Sequence, residues 1–188
     1  MKKLCCATKE SALRQRNIEE CLVELMRHMP YSQISVSSLC QQAGVSRTAF
    51  YRYFENKDAC LASLLKRVVL ETSIPALGPG SPEALYPDML RCVQAWKRRA
   101  GLLDLLVRNG LSDRLVQQTS QHLLLEENAL LGQRPQNPQN GKSYVQQWLL
   151  FGLTGFFALI VQWHTEGYIR TEEEMAGIFS RIISRIFG

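Results

Sequence analysis

The 188-residue chain lacks most of what an enzyme, a metalloprotein or a membrane protein would need. Its only histidines, His28, His122 and His164, fall far apart on separate expected helices. No paired carboxylates, Ser-His-Asp order, phosphate-binding glycine loop or dinucleotide fingerprint is present, which argues against a catalytic site and predicts no cofactor. The cysteines, at 5, 6, 21, 40, 60 and 92, make no Cys-x-x-Cys pair and no Cys/His spacing suited to zinc, so neither a metal site nor a disulfide framework is expected. Cys21 and Cys40 read as small core residues, and the adjacent Cys5 and Cys6 either sense oxidants or are free thiols on an arm. Long apolar runs are missing too. Met1-Lys2-Lys3-Leu4 is not followed by the apolar stretch of a secretory signal, and the most apolar run, Trp148 to Trp163, is broken by Gly152, Gly155 and Gln162 and is short of a membrane span. These absences predict a cytoplasmic protein with no membrane partner.

Charge is present but modest, at +5 overall. Residues 1 to 66 carry ten Lys/Arg against six Asp/Glu, whereas 67 to 188 carry twelve against eleven. The positive excess therefore lies in the first third, where a footprint on phosphate would put it, and is small enough that one copy alone should bind nucleic acid weakly.

That third holds the most informative stretch, SVSSLCQQAGVSRTAFYRYFENKD at 35 to 58. Ser35 is a good N-cap, and Leu39 and Ala43, four apart, share one face of the helix after it. Gly44 ends that helix, because glycine alone takes the left-handed C-terminal conformation without a steric penalty, and Val45 turns back into a small core. Ser46 caps a second helix on which Phe50 and Phe54 face inward, which leaves Arg47, Thr48, Tyr51 and Arg52 outward. This is the pattern of a helix-turn-helix, whose second helix enters the major groove N-terminal end first. Arg47 is the first choice for base readout, since a guanidinium can bond guanine O6 and N7 together, and Thr48 can meet base edges or a thymine methyl. Tyr51 and Arg52 read bases or hold phosphates. Ser46, Tyr53 and Lys57, at the ends of the helix, are placed for phosphate contacts that set register.

The run AGVSRTAFYRYFENKDACL, at 43 to 61, also resembles the signature of the TetR/AcrR (tetracycline-repressor-like) family of bacterial transcriptional regulators. The resemblance implies an all-α fold: a three-helix DNA-binding head with a helix-turn-helix, then an all-helical ligand-binding and dimerisation body. It implies phosphate contacts from a Ser or Thr opening the second helix, here Ser35, from the tyrosines of the Tyr-x-Tyr-Phe segment, here Tyr51 and Tyr53, and from the lysine opening the fourth helix, here Lys57. Many members have a small residue and then Thr-Leu before the first tyrosine. This chain has Arg47, Thr48, Ala49 and Phe50 there, so its base-reading set need not follow the family's.

In chain order, residues 1 to 10 read as an arm with Lys2, Lys3 and Lys9, either reaching the minor groove or simply an unstructured terminus. A first helix, from about Ser11 to Met29, is written by Ile18, Cys21, Leu22, Leu25 and Met26 and stopped at Pro30. Asn56 caps a fourth helix with Leu61, Leu64, Leu65 and Val68 buried, able to carry a change in the body to the head. The head is assigned to 1–54 and the body to 55–188. After a Pro/Gly loop at 73 to 82, helices are expected from Pro82 to Arg99, Leu102 to Val107, Ser112 to Leu131, 143 to 165 and 172 to 187. The loop from Gly132 to Gly141 is a solvated connector or a lid.

The last two helices are too apolar for a monomer's surface and make half of a four-helix bundle. Their dimer-interface candidates are Gly152, Gly155, Phe156, Leu159, Trp163, Ile178, Phe179, Ile182 and Ile186, with filling of the monomer's own core as the alternative. Met89, Trp96, Trp148 and Phe151, with His122 as a polar group, are the candidates for an effector pocket, and they are equally ordinary core residues. The chain is thus expected to be a homodimeric repressor that binds a double-stranded DNA operator and releases it to an unknown small-molecule effector. A helical protein-interaction module that binds no DNA is the competing reading.

Overall fold

The computed structural model describes residues 9–72, 81–119 and 141–187, and every regular element among them is a helix. The order is α1 (Lys9–His28), a single 3₁₀ turn (Tyr31–Gln33), α2 (Val36–Ala43), α3 (Arg47–Tyr53), α4 (Lys57–Glu71), α5 (Pro82–Lys97), α6 (Ala100–Arg108), α7 (113–119), α8 (Gly141–Thr165) and α9 (Glu172–Phe187). Residues divide into two compact units, Met1–Leu65 and Lys66–Gly188. The division falls inside α4, whereas the sequence places a boundary ahead of that helix, at 54/55. The basic arm at 1 to 8, His122 and the loop from Gly132 to 140 lie outside the described residues.

The first unit is built on the stripe read from α1: Ile18, Leu22, Leu25 and Met26 are all buried, together with Ile34, Leu39, Phe50, Phe54, Leu61, Leu64 and Leu65. Burying one such side chain contributes roughly 1.5–3 kcal/mol, so the dozen or so apolar residues here are what hold α1, α2, α3 and the start of α4 together. One acid is buried among them. Glu19 accepts from Ser63 Oγ at 2.7 Å, and Gln15 Nε2 donates to the same hydroxyl at 2.9 Å, so α1 is tied to α4 by a polar chain as well as by packing.

The second unit packs α5 along α9, with α8 against both α5 and α6. Its core is aromatic. Trp96 meets Phe157 edge-on with centroids 5.3 Å apart, and Phe156 lies 4.7 Å from Phe179. Trp163 is buried and donates from Nε1 to the Arg170 carbonyl at 2.8 Å. The α8–α9 turn is tight. Gly167 has φ +71° and Tyr168, without the freedom of glycine, φ +60°. Tyr168 is held there by a ring contact with Trp163 and by a 2.7 Å hydrogen bond to His164 Nδ1, while His164 Nε2 faces Asp104 at 2.8 Å. Thr171 and Glu174 then cap α9 reciprocally.

Three dimer-interface candidates, Phe156, Trp163 and Phe179, are in the monomer's own core. The reason is that α8 is apolar nearly all round, so periodicity could not say which side faces inward. Its outward side carries Leu150 and Phe151, 50% and 64% exposed, with Thr154, Gly155 and Ala158. Gly152, Leu159 and Ile178 are half-buried and Ile182 is exposed; the side chain of Ile186 lies outside the described set. Phe151, expected in a pocket, therefore points out, while Met89 and Trp96 are fully enclosed. The side chain of Trp148 is also outside the described set.

Burial also sets the cysteine chemistry. The Cys60 and Cys92 thiols are pushed up to about 12 by desolvation, and Cys21 and Cys40 are raised as well. The thiolate is the reactive form. At pH 9 an alkylating reagent should therefore label Cys60 and Cys92 no faster than the protein unfolds, as peptide mass mapping would show; rapid labelling of either would contradict their burial. The sign for stability follows: a folded-state value raised above the ordinary one near 9 means stability is full below pH 9 and falls as pH rises toward 12.

Candidate nucleic-acid interface

The turn between α2 and α3 forms as the residues dictate. Ser35 accepts from Ser38 N–H at 3.0 Å, and Ser38 Oγ accepts from Ser35 N–H at 3.0 Å, a reciprocal cap on α2. Gly44 adopts φ +64°, ψ 32°, and Val45 N–H reaches back to the Cys40 carbonyl at 3.0 Å. A side chain at 44 would be strained by that φ even though space is open around it. Asn17 of α1 donates to the Ala43 carbonyl at 3.2 Å and so closes the end of α2. Ser46 then caps α3 by accepting from Ala49 N–H at 3.1 Å.

Phe50 is fully buried and Phe54 nearly so, with rings 5.6 Å apart. Phe54 sits one residue beyond α3 in extended backbone, yet still points inward. With that side anchored, Arg47, Thr48, Tyr51 and Arg52 are all exposed on the other, together with Ser35 and Ser46; Tyr53 is half-buried at the rim. Arg47 leans on Tyr51, Nη2 to Oη 3.5 Å, and this hydrogen bond, ahead of other effects, raises its pKa. A cationic, aromatic and hydroxyl-bearing face on a rigidly backed helix can reach into a groove and bond to base edges.

Lys57, expected on phosphate, is engaged within the head in the DNA-free protein. Its ammonium donates to the carbonyls of Tyr31 at 2.7 Å, Ile34 at 2.8 Å and Ser32 at 3.3 Å, and so has no N–H left over in this arrangement. Sequence reasoning also missed Ser38 and Asn17. Ser38 had a signal, a hydroxyl three residues after a capping serine, whereas nothing local marks Asn17.

Among the described residues no three His, Cys, Asp or Glu side chains gather as a metal site requires, and no helix is long and apolar enough to cross a membrane. Two short helices about a left-handed glycine, the second with an anchored back and a basic front, define a helix-turn-helix DNA-binding head, here followed by an all-helical body.

Comparison with known proteins agrees. Residues 22–64 match the family of bacterial regulatory proteins called tetR. The chain is 49% identical over 45 residues to the HTH-type transcriptional regulator EthR of Mycobacterium tuberculosis, covering 24% of this chain and 21% of that one. It is 39% identical over 54 residues to the HTH-type dhaKLM operon transcriptional activator DhaS of Lactococcus lactis, 29% of either chain. The matches thus span less than a third of these relatives' length. The fold is shared more widely. The solved structure of a dihydroxyacetone kinase operon activator DhaS superposes with TM-score 0.55 at 18% identity, over 94% of this chain and 99% of that one. The fatty acid degradation regulator FadR from Bacillus halodurans gives 0.51 at 17% identity, over 97% of each. The chain thus resembles the tetR family in sequence over its head, and shares the fold of these two solved structures.

Proposed function

We propose that the protein is a homodimeric, sequence-specific DNA-binding transcriptional regulator of the cytoplasm, which represses by occupying its operator and lets go when a small-molecule effector binds its body. The carrying observation is the exposed face of Arg47, Thr48, Tyr51 and Arg52 on a helix whose opposite face is fixed by Phe50 and Phe54. In this reading Arg47 and Thr48 read bases, Tyr51 and Arg52 read bases or hold the backbone, and Ser35, Ser46, Tyr53 and Lys57 contact phosphates. Two copies would join through the outward side of α8, from Leu150 and Phe151 past Gly155, with Ile178 and Ile182 of α9. Around Gly155 a Cβ would meet open space, so a partner helix has room to approach. An effector would favour a conformation whose two heads are wrongly spaced for the operator.

Two experiments test this. At low salt the protein should retard random-sequence DNA in a gel, and an absence of retardation would sink the reading in favour of an interaction module. On a selected operator, Arg47→Ala should lose roughly tenfold to hundredfold discrimination at one base pair of each half-site and little elsewhere. Binding to operator variants measures it, and a uniform loss at every position would show that Arg47 holds phosphate instead.

A further inference from the structure

The first turns of α5 and the middle of α9 leave a groove of about 440 Å³ between them, lined by Pro82, Glu83, Tyr86, Gly177, Ser180 and Arg181. That is a size at which small molecules are bound. Gly177 keeps it open, since a side chain there would project into it, and the nearest atom to a Cβ at 177 would be Arg181 Nη2, 3.9 Å away. The guanidinium thus lies back over the glycine one turn earlier. Among the described residues it has no ion-pair partner, and the Tyr86 hydroxyl has no hydrogen bond. Ser180, by contrast, is buried and donates to the Ala176 carbonyl at 2.7 Å. Glu83, the carboxylate in the lining, is turned to the cap of α5: its own backbone N–H, and after it the Ser81 hydroxyl, hold its carboxyl below the usual range. Ile178 and Ile182, on the proposed dimer side, each point about 100° away from the residue before them, so the groove and that interface use different sides of α9.

We propose that this groove binds a small organic acid, whose carboxylate pairs with Arg181 and whose apolar body lies over Gly177 between Pro82 and Tyr86. A guanidinium offers a carboxylate two parallel N–H donors, and such a pair is stronger than a neutral hydrogen bond. One guanidinium with Glu83 close by suits a single negative charge. A phosphate ester would bring nearly two and set both against that carboxylate. The proposal gives the effector of the reading above a seat and a chemical class, and rests on that reading only for its consequence at the operator.

The test uses the full chain without DNA and four probes: benzoate, hexanoate, phenyl phosphate and benzyl alcohol, each titrated while the amide resonances of 83–86 and 177–181 are followed by NMR. At least one of the two carboxylates should give saturable shifts centred on these segments, with the phosphate and the alcohol about tenfold weaker or more, as loss of a charge-assisted pair implies. Arg181→Gln should weaken the carboxylate by roughly tenfold to hundredfold on the same ground. Gly177→Leu should abolish binding by filling the groove. Its backbone is not left-handed, and leucine favours a helix over glycine, so both variants should melt no earlier than the wild type. No saturable shift with either carboxylate, equal or tighter binding of the alcohol or the phosphate, or wild-type carboxylate binding by either folded variant would overturn the proposal. If the carboxylate bound as described and operator affinity stayed the same, the effector reading would fail while the site stood.

Discussion

Introducing Asp at both Leu150 and Phe151 should yield a monomer that binds its operator about a hundredfold to ten-thousandfold more weakly, the range expected when two linked sites become one. The size follows from the head. Its charge excess is small, and α3 is only seven residues long, so in the proposed dimer useful affinity would come from two heads landing together. The fold of each copy should survive, because these side chains are 50% and 64% exposed and the aromatic core faces the other side of α8. Sedimentation gives the mass and a gel shift the affinity. A variant that stayed dimeric and bound normally would remove this face of α8 from the interface.

The second large effect is Phe50→Ala. Phe50 is fully enclosed, touches the rings of Tyr51 and Phe54, and is the only fully buried side chain of α3. Truncating a buried phenylalanine costs about 3–5 kcal/mol, while a small domain has roughly 5–15 kcal/mol in all, and a head of this size sits at the low end. DNA binding should be lost because α3 is no longer held, and the earliest thermal transition should fall by ten degrees or more by about the usual scaling of stability with size. Preserved melting and preserved binding together would mean that α3 is not fixed through this ring.

The head was legible in the sequence because its rules are local. Ser35, Gly44 and Ser46 are punctuation that acts within four residues, and Phe50 and Phe54 lie one turn apart, so the exposed face of α3 follows by elimination. The engagement of Lys57 within the head was not legible, since it meets Tyr31 and Ile34 more than twenty positions earlier and only the folded chain brings them together. The same holds for the buried Glu19 on Ser63 and for His164 facing Asp104 across sixty positions. In α8 the difficulty was different. Phe151 and Phe156 are five residues apart, roughly 140° around a helix, and both are large and apolar, so hydrophobicity could not decide which entered the monomer's core. The neighbouring helices decide it: Phe156 finds Phe179, and Phe151 is left outside.

Selection of bound sites from a random DNA pool tests the central claim most directly. Two copies of α3 related by a two-fold axis should enrich an inverted repeat whose half-sites are centred about 34–36 Å apart, one turn of DNA, or somewhat further. Arg47→Ala should lose a single symmetric pair of positions from it. A pool that stayed random through successive rounds, or an enriched site that Arg47→Ala selected unchanged, would contradict the assignment of this face to base recognition.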